Sequence, residues 1–378
     1  MNEVHRGLAG VIIDTSEICH IDGENGQLIY RGYDIRDLAD RASFEEVIHL
    51  LWNGELPDRA ELDAFRAELR EWQQIPDVIG ILRDHIGKSA PMHALRSAVS
   101  LLGAIDGQAD GLDPDNIRRI GLRLTVQVPI IVAAYMRLRA GQEPIAPDPD
   151  LSIAANFLYM LTGEQPSEAA VRVMDVNLVL HAEHGSNAST FVARATASTL
   201  TDVYSAITAA IGSLKGPLHG GANTAVMQTL ESLGSMDEVE GFVMNRLAEP
   251  KGRVMGFGHR VYRVLDPRAT ILKDVAAELA REQGGNKWFE MSLEMERVMS
   301  REMEKRGKQV RPNVDFFSAS VYRMLGFPSD TFTLLFAVAR TPGWMAHLFE
   351  QYADNQIFRP RLTYTGATDR TFVPIEDR

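Results

Sequence analysis

The sequence predicts a mainly α-helical protein of two domains, opened by a small β-hairpin. Three observations carry that expectation. Apolar residues recur at three- and four-residue steps over most of the length, and strand-like runs are confined to the first 35 residues. Two Gly/Pro-rich breaks, LKGPLHGG (214–221) and YRMLGFPSD (322–330), frame a stretch long enough to fold as a unit. The expected division is 1–216 with 324–378 as the large helical domain, and 217–323 as a small inserted one.

The hairpin is read from SEICHIDGENGQLIYRGYDI (16–35), where DGENG separates two apolar runs with Gly and Asn at the turn. Leu62, Phe65, Leu69 and Trp72 then mark one face of an amphipathic helix. The same spacing, with capping and break residues, predicts helices over 92–106, 116–140, 151–162, 167–184, 188–212, 222–234 and 286–306. Ile271, Leu272, Val275 and Leu279 predict another, and Leu334, Leu335 and Val338 a late one. RAGQEPIAPDPD (139–150) and LTGEQPSE (161–168) read as breaks.

A net charge of −12 disfavours a binder of nucleic acid or of anionic membrane surfaces, since the overall field repels polyanions. The most apolar run, Leu122 to Met136, is too short to span a bilayer and is interrupted by Arg123, Gln127 and Pro129, so it reads as a buried core helix. The N-terminus lacks a signal-peptide pattern, and Cys19 is the single cysteine, which excludes an internal disulfide; both fit a cytoplasmic protein.

Four polar stretches stand out. In HAEHGSNAST, His181 and His184 share a helix face, but HExxH is absent and no further ligand completes a metal site. The plainer reading packs one in the core and lets the other cap the helix at Gly185. His219 stands before Gly220 and Gly221 at the head of a predicted helix, whose dipole would keep the imidazole neutral; the alternative is an incidental histidine in a connecting turn. KGRVMGFGHRVYRVLDPR (251–268) sets Lys251, Arg253, Arg260, Arg263 and Arg268 against Asp266 alone, a local cationic cluster suited to phosphates or carboxylates. Its glycines lack the third member and the βαβ context of a dinucleotide fingerprint. Asp315, in RPNVDFFSASVYRML, reads by itself as a helix N-cap, although an apolar setting would also raise its pKa towards that of a general base.

Taken together, these stretches resemble the citrate synthase family. GPLHGGAN, GFGHRVYRVLDPR and PNVDFFSA occur in the family's order, preceded by HAEHGSNAST and followed by LFAVARTPGWMAH and FRPRLTYTG; IDGENGQLIYRGYDI is similar to the family's opening. The resemblance covers nearly the whole chain, in the short bacterial or archaeal form. It implies a two-domain citrate-synthase-like fold and an acyltransferase that condenses acetyl-CoA with oxaloacetate and hydrolyses citryl-CoA. The related alternative is a 2-methylcitrate synthase that uses propionyl-CoA. Catalysis would fall to His219, His259 and Asp315. Oxaloacetate would be held by His184, Arg268, Arg340 and Arg359, the last supplied by the other subunit of a homodimer, with Arg361 a less favoured reading of the same motif. Coenzyme A would meet Gly252, Arg253, Val254, Met255, Gly256 and Arg263. No metal and no permanently bound cofactor is expected, acetyl-CoA being a co-substrate, and NADH regulation is not expected. A non-catalytic acyl-CoA binder would have lost one of His219, His259 and Asp315, and all three are present. A metal-dependent hydrolase built on the histidines would be inactivated by a chelator.

Overall fold

A computed structural model of the chain describes residues 4–8, 10–86, 88–250, 252–259 and 261–378, without the side chains of residues 85 and 86. Lys251 and Arg260 of the basic stretch therefore lie outside the described residues. Among the described residues, sixteen α-helices and one three-stranded antiparallel sheet supply most of the regular structure.

The hairpin forms as expected. Cys19–Asp22 pairs with Gln27–Tyr30, Cys19 lying opposite Tyr30 and Asp22 opposite Gln27. The Asp22 carboxylate closes the turn by accepting the backbone N–H groups of Glu24 and Asn25, each at 3.0 Å. A third short strand, Tyr33–Asp34, extends the sheet beyond what the sequence announced. The turn also supports a distant segment: Arg263 N–H donates to Gly23 O at 2.9 Å. A Cβ on Gly23 would lie 2.3 Å from Val261 O, so only glycine permits that approach.

Helix starts follow local chemistry. Ser43 with Glu46 and Asp58 with Glu61 form capping boxes at Phe44–Asn53 and Arg59–Arg70. Asp113 and Asp266 cap helices that open on proline, Pro114–Arg139 and Pro267–Glu282. Pro114–Arg139 has the length and composition of a membrane span, yet 89% of its most apolar window is buried inside the protein, where it serves as a core helix.

Two expectations are corrected. The helix predicted over 188–212 is two, Ala188–Ala197 and Val203–Leu214. Leu200 turns the chain with φ +60, and Asp202 restarts it by accepting from Ser205 N. Both helices are buried on one face, so the apolar period alone runs through the break. Asp315 is not the cap of its helix, Val314–Met324. Asn313 is, its side chain accepting from Asp315 N at 3.0 Å, which places Asp315 in the first turn.

Helix Phe332–Ala353 is the core element that organises the site. It packs against Phe44–Asn53, Pro114–Arg139, Glu168–His181, Ala188–Ala197 and Val203–Leu214. Helices Ala222–Ser232, Glu238–Ala248, Pro267–Glu282, Lys287–Lys305 and Val314–Met324 pack largely on one another, and Pro267–Glu282 also rests on Glu168–His181.

Candidate active site

His181, the last residue of helix Glu168–His181, is buried in the core; its Nδ1–H donates to Asn177 O at 2.9 Å. Burial lowers its pKa to about 3. The helix ends there, so His184 does not cap it and lies in the connection that follows. Its Nε2 lies 3.2 Å from the Tyr262 hydroxyl, and its ring stands 5.4 Å from that of His259. Burial, followed by the positive field of Arg268, holds His184 well below the usual histidine range.

His259 has one defined tautomer. Its Nδ1 accepts the backbone N–H groups of Val261 (3.0 Å) and Tyr262 (3.2 Å), so the ring proton sits on Nε2. Burial and then Arg268 lower its pKa to about 4, and the imidazole is neutral at physiological pH. The hairpin turn at Gly23 seats the segment that supplies those two N–H groups.

His219 carries the opposite tautomer. It precedes helix Ala222–Ser232, whose N-cap is Gly221, but its ring meets the N-terminus of another helix. The Ser189 N–H of Ala188–Ala197 donates to His219 Nε2 at 3.2 Å, and Ser189 Oγ lies 2.8 Å from the same nitrogen. The helix N-terminus whose N–H reaches the imidazole is thus that of Ala188–Ala197. Nδ1 keeps the proton. Burial, followed by Arg340, lowers its pKa to about 4. Trp344 Nε1–H donates to Ser189 Oγ at 3.2 Å, and Asn187 accepts the Ser189 and Thr190 N–H groups, so the donor is itself held.

Asp315 has Oδ1 buried without a hydrogen-bond partner. Burial raises its pKa from 3.8 to about 6, against the opposing pull of Arg268. The segment before its helix is clamped to the 252–258 stretch: Asn313 N–H donates to Gly256 O (2.9 Å), Asn313 Nδ2 to Gly258 O (2.8 Å) and Gly258 N–H to Arg311 O (2.8 Å). Gly256 takes φ +80, and a Cβ there would meet Val226 and Phe316 at 2.8 and 2.9 Å. The expected coenzyme A stretch and the expected base are therefore one mechanical unit.

Both buried arginines are present. Arg268 is bound by Asp266 through Nε (3.0 Å) and Nη2 (2.9 Å), which leaves Nη1 for another partner. Asp266 also accepts from Val314 N at 3.2 Å, tying Arg268 to the start of the Asp315 helix. Arg340, 1% exposed, donates through Nε to His181 O at 2.8 Å, while its buried Nη1 has no partner. Arg340 acts on His184, His219 and Asp315, and Arg268 on His184, His259 and Asp315, so six of the expected residues, the two arginines included, are linked by one field.

The remaining expectations stand apart from this cluster. Val254 is buried, Arg253 and Met255 are exposed, and Gly252 N–H donates to Glu249 O at 2.9 Å. Arg263 is exposed, 3.9 Å from Glu24 of the hairpin turn. Among the described residues Arg359 is exposed and donates only to its neighbour Pro360 O, Arg361 is exposed too, and neither is bonded to the cluster. Among the described residues no group of three or more His, Cys, Asp and Glu could hold a metal ion. Ser189, Tyr262, Asp266, Asn313 and Trp344 were not foreseen. Asn313 alone had a local signal, standing just before the predicted helix.

Such an arrangement suits one kind of chemistry: taking a proton from carbon, sheltering the enolate on a neutral donor, and joining it to an anionic carbonyl compound. It defines a condensing enzyme. The chain belongs to the citrate synthase family. The profile described as citrate synthase, C-terminal domain, matches residues 7–361. A citrate synthase of Haloferax volcanii is 48% identical over 384 residues, covering 100% of this chain and 99% of that one. A 2-methylcitrate synthase of Corynebacterium glutamicum is 42% identical over 383 residues, with the same coverage. The citrate synthase of the thermophilic archaeon Thermoplasma acidophilum, solved as a ternary complex with carboxymethyl coenzyme A and oxaloacetate, superposes with a TM-score of 0.92 at 32% identity over 100% of both chains.

Proposed function

We propose that this enzyme condenses acetyl-CoA with oxaloacetate and hydrolyses the resulting citryl-CoA to citrate and coenzyme A. The observation that carries this reading is the pair of neutral histidines with opposite tautomers, under the same two buried arginines, Arg268 and Arg340, that act on a desolvated carboxyl. The Asp315 carboxylate takes a proton from the acetyl methyl group. His219 Nδ1–H donates to the thioester oxygen as the enolate forms. The enolate carbon attacks the ketone carbon of oxaloacetate, whose oxygen takes its proton from His259 Nε2. Water then attacks the thioester carbon of citryl-CoA, and the thiol leaves.

His184, Arg340 and Arg268 hold the substrate carboxylates and carbonyl, Arg340 through its unpartnered Nη1. Arg359 completes the site of a second copy in a homodimer, in keeping with its exposure here. Gly252, Arg253, Val254, Met255, Gly256 and Arg263 contact coenzyme A. Residues 217–323 close on the remainder after oxaloacetate binds, which excludes water from the enolate.

Thiol release with oxaloacetate and either acetyl- or propionyl-CoA tests the reading. The expected result is a higher kcat/KM for acetyl-CoA and a dimer in sedimentation. A clear preference for propionyl-CoA selects the 2-methylcitrate reaction, which the Corynebacterium relative's name raises; one methylene is worth about 1–3 kcal/mol in a pocket. Activity abolished by a chelator and restored by zinc overturns both.

A further inference from the structure

The oxaloacetate-binding face proposed above depends on two segments, the connection bearing His184 and the helix Phe332–Ala353 bearing Arg340. They meet along a short register of contacts. Arg340 Nε–H donates to His181 O at 2.8 Å. A Cβ on Gly343 would lie 2.0 Å from Ala182 O, so backbone presses on backbone there. His347 Nε2 lies 3.0 Å from Glu183 Oε1. Positions 340, 343 and 347 share one helix face, and they engage three successive residues.

Glu183 and His347 are 0% and 1% exposed, as deep as Asp266 and Arg268 at 1% and 3%. The backbone of Glu183 has its own anchor: its N–H donates to the Tyr30 hydroxyl (3.2 Å), which donates to Glu183 O (2.7 Å). The carboxylate is therefore not required to hold the segment. Its Oε2 has no partner among the described residues, and neither has His347 Nδ1, so the imidazole meets the carboxylate through Nε2 alone. The carboxylate has a cationic counterpart. Arg340 is buried with no carboxylate in salt-bridge contact among the described residues, and Glu183 is the group that most strongly supports its cationic form against burial. A buried guanidinium without a countercharge is costly.

We propose that Glu183 and His347 are positioning residues for oxaloacetate: the carboxylate supplies the buried negative charge against which Arg340 is held, and the imidazole fixes that carboxylate. The proposal rests on the reading of Arg340 as an oxaloacetate ligand. The pair touches neither substrate.

The test is oxaloacetate binding by calorimetry, with steady-state kinetics, in the full-length enzyme. Glu183→Gln keeps the shape and the contact with His347 but loses the charge. It is expected to weaken oxaloacetate binding about tenfold or more, with KM for acyl-CoA within about threefold; tenfold is about 1.4 kcal/mol. His347→Leu, which removes the donor, is expected to do the same, and His347→Gln, whose amide can donate, to recover most of the loss. Should Glu183→Gln not fold, the two His347 variants decide by the same binding measurement. Oxaloacetate affinity within twofold of wild type, or equal losses for both substrates, overturns the proposal and leaves the pair merely structural. A wild-type enzyme that binds no oxaloacetate overturns the functional reading and this one with it.

Discussion

Asp315→Asn is expected to make the protein more stable and nearly inactive. Burial raises the folded carboxyl from 3.8 to about 6. At 1.36 kcal/mol per unit, ionised Asp315 costs the fold about 3 kcal/mol. The sign follows from linkage. The folded state holds the proton more tightly than the unfolded chain, so the penalty is fully present above pH 6, shrinks as the pH falls through 6, and is gone below 3.8. Asparagine carries no such penalty. The variant should exceed wild type by up to about 3 kcal/mol at pH 8, with the gap closing towards pH 4. Arg268, Asp266 and Arg340 act on the ionised carboxylate alone, and their effect is already contained in the folded value of about 6. Urea denaturation of the two proteins at matched pH values reads the gap directly, while turnover should fall about 10²–10⁴-fold, as for loss of a general base. A variant no more stable than wild type at pH 8, or a gap independent of pH, would refute the reasoning, because Asp315 would then not be desolvated. Wild-type kcat/KM should also drop as the pH falls below about 6.

Ser189→Ala should cost no more than about tenfold in turnover, because the backbone N–H, which remains, is what sets the His219 tautomer; His219→Gln, in contrast, should lose about 10²–10³-fold, as for removal of one oxyanion donor. Kinetics on the two variants separate the backbone from the hydroxyl. Gly256→Ala puts a Cβ 2.8 Å from Val226 and 2.9 Å from Phe316 at φ +80, so the stretch must move. KM for acyl-CoA should rise about tenfold or more with oxaloacetate binding little changed, and equal effects on both substrates would show that the displacement spreads through the Asn313 clamp.

Much of this was legible in one dimension, and the limits have physical causes. The helices read from amphipathic spacing are present, because a one-sided burial pattern is written locally at Leu62, Phe65 and Leu69. Phe44–Asn53 is absent from that reading although its signal is local: Val47, Ile48 and Leu51 keep the apolar period, Glu46, His49 and Asn53 mark the opposite face, and a capping box stands in SFEE. The candidate site residues come from stretches that resemble the family's motifs. What could not be read was who sets their protonation. Ser189 and His219 are 30 residues apart, and Trp344 and Ser189 are 155 apart. The sequence assigns the neutrality of His219 to the dipole of the helix that follows it, whereas burial and Arg340, 121 positions away in the chain, lower its pKa, and the N–H that meets its ring comes from Ser189. Asp315 was mistaken for a cap because caps and first-turn acids differ by only one or two positions.

That last distinction bears on reactivity. A carboxylate in the first turn of a helix gains about 0.3–1 kcal/mol from the dipole, which favours its ionised form. A cap would gain more, by accepting the N–H groups of the first turn, and would be a poor base. At Asp315 those N–H groups are served by Asn313 and Asp266 instead, and Oδ1 is left without a partner among the described residues. Burial outweighs these effects and the pull of Arg268 by a net of about 3 kcal/mol, and the carboxyl emerges with raised basicity. Asn313 thus frees Asp315 from a stabilising duty and, through Gly256 and Gly258, fixes where it stands relative to the 252–258 stretch. The histidines follow the same division of labour, since Ser189, Val261 and Tyr262 spend backbone N–H groups on one ring nitrogen and leave the other as the donor. In each case a neighbour absorbs the local hydrogen-bonding requirement, so that the group assigned to chemistry keeps one atom uncommitted.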